Sequence, residues 1–291
     1  MNFEEISKAY GITEEELIKT KNNIIKTMLY GKTPEENPVA IFDIGPSGSG
    51  KTGLNGYAVN QFTNNNIIVI NNDELKPFYP NADEISKKYP EHYIKVTNEA
   101  SKVWTDALID EAIEGKYNVL YEGTGRKIKI FERMISAMKK KGYKIVVRAM
   151  AVNELNCLMS IVERYEYQVQ KKGWGRLVSL ETFYKAYSDE MLDTIEKLEK
   201  SDDISLVEVY MRGETPEKPV KIYSGNKKEF PSAREAVIAG RKKDRKLANE
   251  YYKEYFCKEH NTDDGMLEES KIMKHINTLY CACEDREEEE R

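Results

Sequence analysis

Gly45-Pro46-Ser47-Gly48-Ser49-Gly50-Lys51-Thr52 fills every position of the pattern G-x-x-x-x-G-K-[ST]. Glycines at these places let successive backbone N–H groups close around phosphate oxygens. Lys51 would meet the β- and γ-phosphates as a point charge, and the Thr52 hydroxyl would take Mg²⁺. The chemistry is that of a bound nucleoside triphosphate, ATP or GTP, with Mg²⁺ as its companion.

Three further groups suggest what happens to that triphosphate. The apolar run Ile67-Ile68-Val69-Ile70 ends in Asn71-Asn72-Asp73, which places a carboxylate at the carboxyl end of a strand, the edge where open α/β sheets bind ligands. Asp73 could accept the proton of a hydroxyl attacking the γ-phosphorus, or cap a helix starting near Glu74. Tyr121-Glu122-Gly123-Thr124-Gly125-Arg126 joins two glycines to an acid, a hydroxyl and an arginine directly after another apolar run. That composition suits a ligand-facing turn, with a simple tight turn as the alternative. Asp73 or Glu122 could also face Mg²⁺ through water. Arg164 and Arg176 flank a polar, glycine-containing segment, a place for a lid whose arginines meet the γ-phosphate on closure. Surface ion pairing is their other reading. Together these groups describe a small-molecule kinase.

The elements that must hold these residues follow from the hydrophobic pattern. Short apolar runs at 39–44, 67–70, 119–121, 145–151 and 204–210 read as buried strands. Segments at 98–114, 129–141 and 180–199 between them have helical length. Alternation of this kind predicts a parallel sheet covered on both faces, with 220–223 as an edge strand. Residues 1–36 read as a helical segment with a capping box at Thr13 and Glu16, 37–230 as the P-loop domain, and 231–291 as a helical extension with an acidic tail. The fold class expected is therefore α/β: a P-loop nucleotide-kinase-like parallel sheet flanked by helices, with an N-terminal helical segment and a helical C-terminal extension.

The whole chain excludes several alternatives. Its 291 residues are 40% hydrophobic and 33% charged, a globular balance. A net charge of −5 gives no reason to expect nucleic acid as the main partner. No stretch has the length of an apolar span, and the first residues lack the basic and apolar regions of a secretion signal, so no membrane is expected and the cytoplasm is the default compartment. Cys157, Cys257, Cys281 and Cys283 do not make a disulfide framework. Cys257, His260, Cys281 and Cys283 have atoms suited to zinc, but C-x-x-H followed by C-x-C is not a common ligand spacing, which favours ordinary thiols.

Taken together, the P-loop, "NDELK" from Asn72, "TDA" at Thr105, "EGTGR" from Glu122, "RAMAV" from Arg148, "ERYE" from Glu163, and Arg176 resemble the zeta toxin family of epsilon/zeta toxin–antitoxin systems. The likeness covers roughly residues 38–225. It implies a nucleotide-kinase-like fold and a phosphotransferase that phosphorylates the 3′-hydroxyl of the sugar in UDP-N-acetylglucosamine, depleting a cell-wall precursor and arresting growth. By matching position, Lys51 is the P-loop lysine and Asp73 the catalytic base. Glu122, Thr124 and Arg126 fall where the family binds substrate, and Arg164 and Arg176 match the arginines that meet the transferred phosphate. Asp106 stands where the best-known members carry a glutamate contacting the sugar, one methylene longer. The family's antitoxin is a separate small helical protein that obstructs the nucleotide site. The N-terminal helix here is read as a packing helix, with a built-in element of that kind as the alternative. Other acceptors left open are NAD, another nucleotide-sugar, or a nucleic-acid end held by the basic run Arg241–Lys246. The guanine-specificity motif N-K-x-D of GTPase switches is absent from the sequence.

Overall fold

The computed structural model describes residues 2–225, 229–257 and 267–289. Six strands form one sheet: β1 (Val39–Ile44), β2 (Ile68–Ile70), β3 (Val119–Gly123), β4 (Lys144–Met150), β5 (Leu206–Met211) and β6 (Val220–Ser224). Their order is β2-β3-β1-β4-β5-β6, parallel throughout except for β6, which pairs antiparallel with β5 at the edge. β1 is the central strand of the parallel set and is buried from Ala40 to Ile44. Its carboxyl end feeds the P-loop.

The helices are α1 (Phe3–Ala9), α2 (Glu14–Leu29), α3 (Lys51–Val59), α4 (Asn72–Leu75), α5 (Ala82–Lys88), α6 (Pro90–Glu114), α7 (Ile128–Lys140), α8 (Glu154–Lys172), α9 (Leu180–Ala186), α10 (Asp189–Glu199), α11 (Ala233–Tyr251) and α12 (Leu267–Glu289). One sheet face, with Phe42, Ile44, Val147, Ala149 and Val209, packs on α6, α7, α10 and α11 in the main core. The other face carries Ile41, Leu120 and Val146 against Ala58 of α3. A separate cluster joins α8 and α9 to Ile272, Met273 and Ile276 of α12.

Three expectations are refined by the structure. The N-terminal segment is two helices, because Thr13 accepts from the Glu16 N–H and Glu16 returns a bond to the Thr13 N–H, so the chain restarts at the capping box. Both helices pack on α6: Ile6 and Ile24 are fully buried in the main core, and the Trp104 indole donates to the Leu17 carbonyl (3.0 Å). The stretch expected as one helix at 180–199 is broken at Tyr187-Ser188 into α9 and α10. α6 begins eight residues before 98, with Pro90 in the first turn, where its missing N–H costs nothing.

The basic run in α11 is partly structural. Asp244 accepts from the Asn153 N–H (2.8 Å) at the start of α8, and the Arg241 guanidinium lies over the Tyr187 ring at 3.9 Å. No described helix is long and apolar enough to cross a membrane. Cys157 is buried, whereas Cys257 and Cys281 are exposed thiols. His260 and the Cys283 side chain lie outside the described residues, and among those described no group of three or more His, Cys, Asp or Glu side chains could hold a metal ion.

Candidate active site

The carboxyl ends of β1, β2 and β3 open into a cleft of about 930 Å³. That volume is at the upper end for a small-molecule site and leaves space for a donor and an acceptor together. The P-loop forms its floor. Gly48 has φ 75°, and a Cβ there would stand 2.1 Å from the Cys157 carbonyl oxygen of α8, so both backbone shape and space demand glycine. Ser47, Gly48, Gly50, Lys51 and Thr52 line the cleft. Gly45, Pro46 and Ser49 are buried beneath them.

Lys51 waits folded back on its own loop, donating to the carbonyls of Gly45 and Pro46 (2.9 Å each). Its ammonium is also 3.8 Å from Glu122. Burial lowers the Lys51 pKa from its ordinary value, with the Glu122 charge opposing. Glu122 is fixed in turn by the Asn55 amide (2.6 Å) from the same helix as Lys51.

Asp73 does not cap α4. Asn71 does, accepting from the Asp73 N–H (2.9 Å), which leaves the carboxylate to face the cleft. There it holds two cations, Lys76 at 2.6 Å and Arg176 at 2.5 Å. Against the opposing effect of burial, Arg176 and Lys76 bring the Asp73 pKa down to about 2. Arg176 reaches it from the chain after α8, where its backbone N–H donates to Gln168 (2.8 Å).

Arg164, on α8, is the cleft cation with the most unmatched donors among the described residues. Its Nε and one terminal nitrogen are buried without a hydrogen-bond partner. Burial and the neighbouring Arg176 lower its pKa from the ordinary guanidinium value. Arg126 likewise has a buried Nε without a partner. Buried donors left unmatched are costly, and a cleft holding several of them beside a P-loop is built for an anion.

Of the residues singled out from the sequence, the cleft gathers Lys51, Thr52, Asp73, Glu122, Thr124, Arg126, Arg164 and Arg176. Asp106 is not among its lining residues: its carboxylate pairs with Arg133 (2.8 Å) on α7, half-exposed. The sequence reading missed Asn55, Lys76, Gln168 and Arg212. Arg212 donates to the Gly48 carbonyl, to Ser160 Oγ (2.9 Å) and to Asn156 Oδ1 (2.6 Å), tying the P-loop to α8. Only its place directly after a parallel strand could have marked it, at the edge where ligands bind. Lys76 could have been read from its i,i+3 spacing to Asp73.

The family model described as Zeta toxin matches residues 23–228, which include the P-loop, α4, the turn after β3, Arg164 and Arg176. The chain belongs to the zeta toxin family. Toxin zeta of Enterococcus hirae is 30% identical over 224 residues, 77% of this chain and 76% of that protein. Toxin zeta of Streptococcus pyogenes is 29% identical over 212 residues, 73% of this chain and 72% of that one. A solved structure from the PezAT chromosomal toxin–antitoxin system of Streptococcus pneumoniae has a TM-score of 0.68 at 19% identity, covering 87% of this chain and 98% of that one. At that identity the likeness shows a shared fold. The zeta toxin match ends before α11, so α11 and α12, which close the back of α8, stand outside it.

Proposed function

We propose that this zeta toxin family member is a kinase that transfers the γ-phosphate of ATP or GTP to a sugar hydroxyl of a UDP-activated amino sugar, UDP-N-acetylglucosamine at its 3′-hydroxyl first. The observation that carries the kinase reading is the buried, unmatched Arg164 guanidinium beside Lys51 and Asp73. A cation held without a partner opposite a P-loop has its partner in the phosphate that is transferred.

The residues act as follows. The P-loop amides and Lys51 hold the β- and γ-phosphates once Lys51 leaves the Gly45 and Pro46 carbonyls. The hard oxygens of Thr52, and of Asp73 or Glu122 through water, suit Mg²⁺, which takes few protein ligands when it arrives with phosphate and supplies charge neutralisation there. Arg164 and Arg176 meet the equatorial oxygens of the phosphoryl group in transfer. The acceptor hydroxyl oxygen bonds to the γ-phosphorus, the bond to the β,γ-bridging oxygen breaks, and the hydroxyl proton passes to Asp73. Asp73 is a weak base while both Lys76 and Arg176 rest on it. Recruitment of Arg176 to the phosphate removes one of those cations, so donor binding itself raises the basicity of Asp73. Glu122, Thr124 and Arg126 hold the acceptor.

Support for the toxin role comes from the named relatives, and an antitoxin partner is proposed on the same ground. Asp106 pairs with Arg133 and does not line the cleft, which keeps NAD or another nucleotide-sugar as the reserve substrate. The deciding experiment offers UDP-N-acetylglucosamine, UDP-glucose, NAD and free N-acetylglucosamine with labelled ATP and locates new phosphate by mass spectrometry and NMR. Phosphorylated UDP-N-acetylglucosamine is expected. Product from another acceptor alone would reject the substrate and keep the kinase, and no product with any of them would count against both.

A further inference from the structure

The backbone that carries Arg176 is anchored on both sides. α8 ends at Gly173, whose φ of 77° turns the chain off the helix, a conformation that glycine adopts at little cost. The next residue, Trp174, sets its ring against that of Tyr93, with centroids 5.3 Å apart, and packs on the main core. Tyr93 belongs to α6 and is only 5% exposed. Gly175 then passes so close to α8 that a Cβ would stand 2.5 Å from the Tyr165 carbonyl oxygen. The Arg176 N–H donates to Gln168 of α8 (2.8 Å). Two residues further on, Val178 is buried in the cluster of α8, α9 and α12.

A lid swinging over the cleft would have to break all of these contacts. The Arg176 side chain needs no such motion. Its guanidinium rests on Asp73 (2.5 Å) and lies near enough to Arg164 to lower that residue's pKa. A phosphoryl group that meets Arg164 is then within a side-chain turn of Arg176. We infer that Trp174 is a positioning residue for phosphoryl transfer: seated on Tyr93, it holds the Arg176 backbone as a fixed strap between α8 and α6, from which only the guanidinium moves between Asp73 and the transferred phosphate. Holding a charge in place before the reaction is what makes it effective in the transition state. Neither Trp174 nor Tyr93 lines the cleft, so the ring pair acts through Arg176 and touches no substrate. The inference rests on the role proposed above for Arg176.

The test asks whether the tryptophan acts on chemistry or only on packing. Single-turnover and steady-state phosphoryl transfer, Mg²⁺-ATP affinity and Tm are measured on the full chain, Trp174→Ala, Trp174→Phe and Arg176→Ala. The strap predicts that Trp174→Ala lowers kcat by about tenfold to a hundredfold, because a small misplacement of a catalytic group costs this much. ATP affinity should stay within about twofold. Trp174→Phe keeps a ring for Tyr93 and should return kcat to within about threefold of the parent. In an Arg176→Ala background, Trp174→Ala should add little to the loss, as expected of two residues that act as one unit. Parental kcat in Trp174→Ala, with only a lower Tm, would make the ring plain packing and overturn the strap while the kinase reading stands. Losses that multiply in full in the double variant would overturn it in the same way. Parental kcat in Arg176→Ala would remove the role of Arg176 and the strap with it. No product from the parent with any acceptor would remove the kinase reading and the strap together.

Discussion

At the scale of single residues, the cleft is a set of charges deliberately left short of partners or given too many. Arg164 is short of them, and its guanidinium fork is the feature that should matter in the transition state. Arg164→Lys keeps the charge and loses the fork. The expected result is a kcat lower by about two to three orders of magnitude, with ATP affinity altered far less. Steady-state kinetics beside direct nucleotide titration would show it, and a change confined to KM would assign Arg164 to ground-state binding instead. Asp43, two residues before the P-loop, is a carboxylate short of partners in the same way. It is fully buried, and both its oxygens lack a hydrogen-bond partner. Burial pushes its pKa up to about 7, with Arg148 and Lys51 pulling down and Glu122 and Glu208 adding to the rise. Between pH 4 and 7, roughly, the folded chain holds a proton that the unfolded chain has released, so this group makes stability fall as pH rises. The advantage of Asp43→Asn over the parent in urea denaturation should grow as pH rises, and be larger at about pH 8 than at about pH 5 by on the order of 1 kcal/mol or more, because the unfolded parent is ionised at both while the folded parent loses its proton only near 7. The same difference at both pH values would mean that Asp43 is solvated or paired. Asp73 works in the other sense, since its depressed pKa adds stability above about pH 4 that is lost as the pH falls toward 2.

At the scale of elements, what could be read from the chain depended on whether the signal was local. The strands were legible because continuous apolar runs bounded by polar turns have few other solutions, and the P-loop because its spacing is itself the geometry. The break between α9 and α10 was not, since 180–199 keeps a helical hydrophobic spacing across it. α4 was legible only as a short helix starting near Glu74, with its cap misplaced on Asp73, and α5 was missed, because 72–88 is rich in turn residues and forms short helices that lean on α6. Contacts distant in sequence were also out of reach: nothing near Arg212 announces Gly48, and nothing near Asp106 announces Arg133. Asp73 shows how an element only one turn long can govern a site. Its direction into the cleft depends on Asn71 taking the cap of α4, which leaves the Asp73 side chain without that duty. Asn71→Ala should cost only about 1 kcal/mol of stability. It should lower kcat by more than that loss can explain, because the carboxylate is then no longer aimed. The check is to compare folded fraction and turnover in the same sample. A variant fully active when fully folded would show that Asp73 finds its place without the cap.

For the molecule as a whole, the question is whether the N-terminal helices guard the cleft or hold up its wall. No residue of α1 or α2 lines the cleft. They bury Ile6 and Ile24 in the main core and cover Trp104 of α6. α6 in turn supports α4, where the Thr105 hydroxyl donates to Asn72 Oδ1 (3.2 Å), the residue before Asp73. The path from α2 to the active site is thus one of packing through α6, and it predicts loss of stability rather than release of activity. Ile24→Ala removes a fully buried side chain and should cost about 2–5 kcal/mol, lowering Tm by roughly 5–15 °C for a chain of this size. Well below the melting range, turnover per folded molecule should equal that of the parent, because neither Asp73 nor the P-loop touches α2. An inhibitory helix would behave differently: loosening it would raise turnover or tighten nucleotide binding while stability fell. Thermal denaturation paired with single-turnover phosphorylation separates the two. A stimulated Ile24→Ala enzyme would mean that α2 is a restraint, and a destabilised enzyme with unchanged chemistry would mean that it is a buttress. The burial of Ile24 and the Leu17 carbonyl's bond to Trp104 support the buttress, since a flap that must lift from a site cannot also be part of the core that holds it.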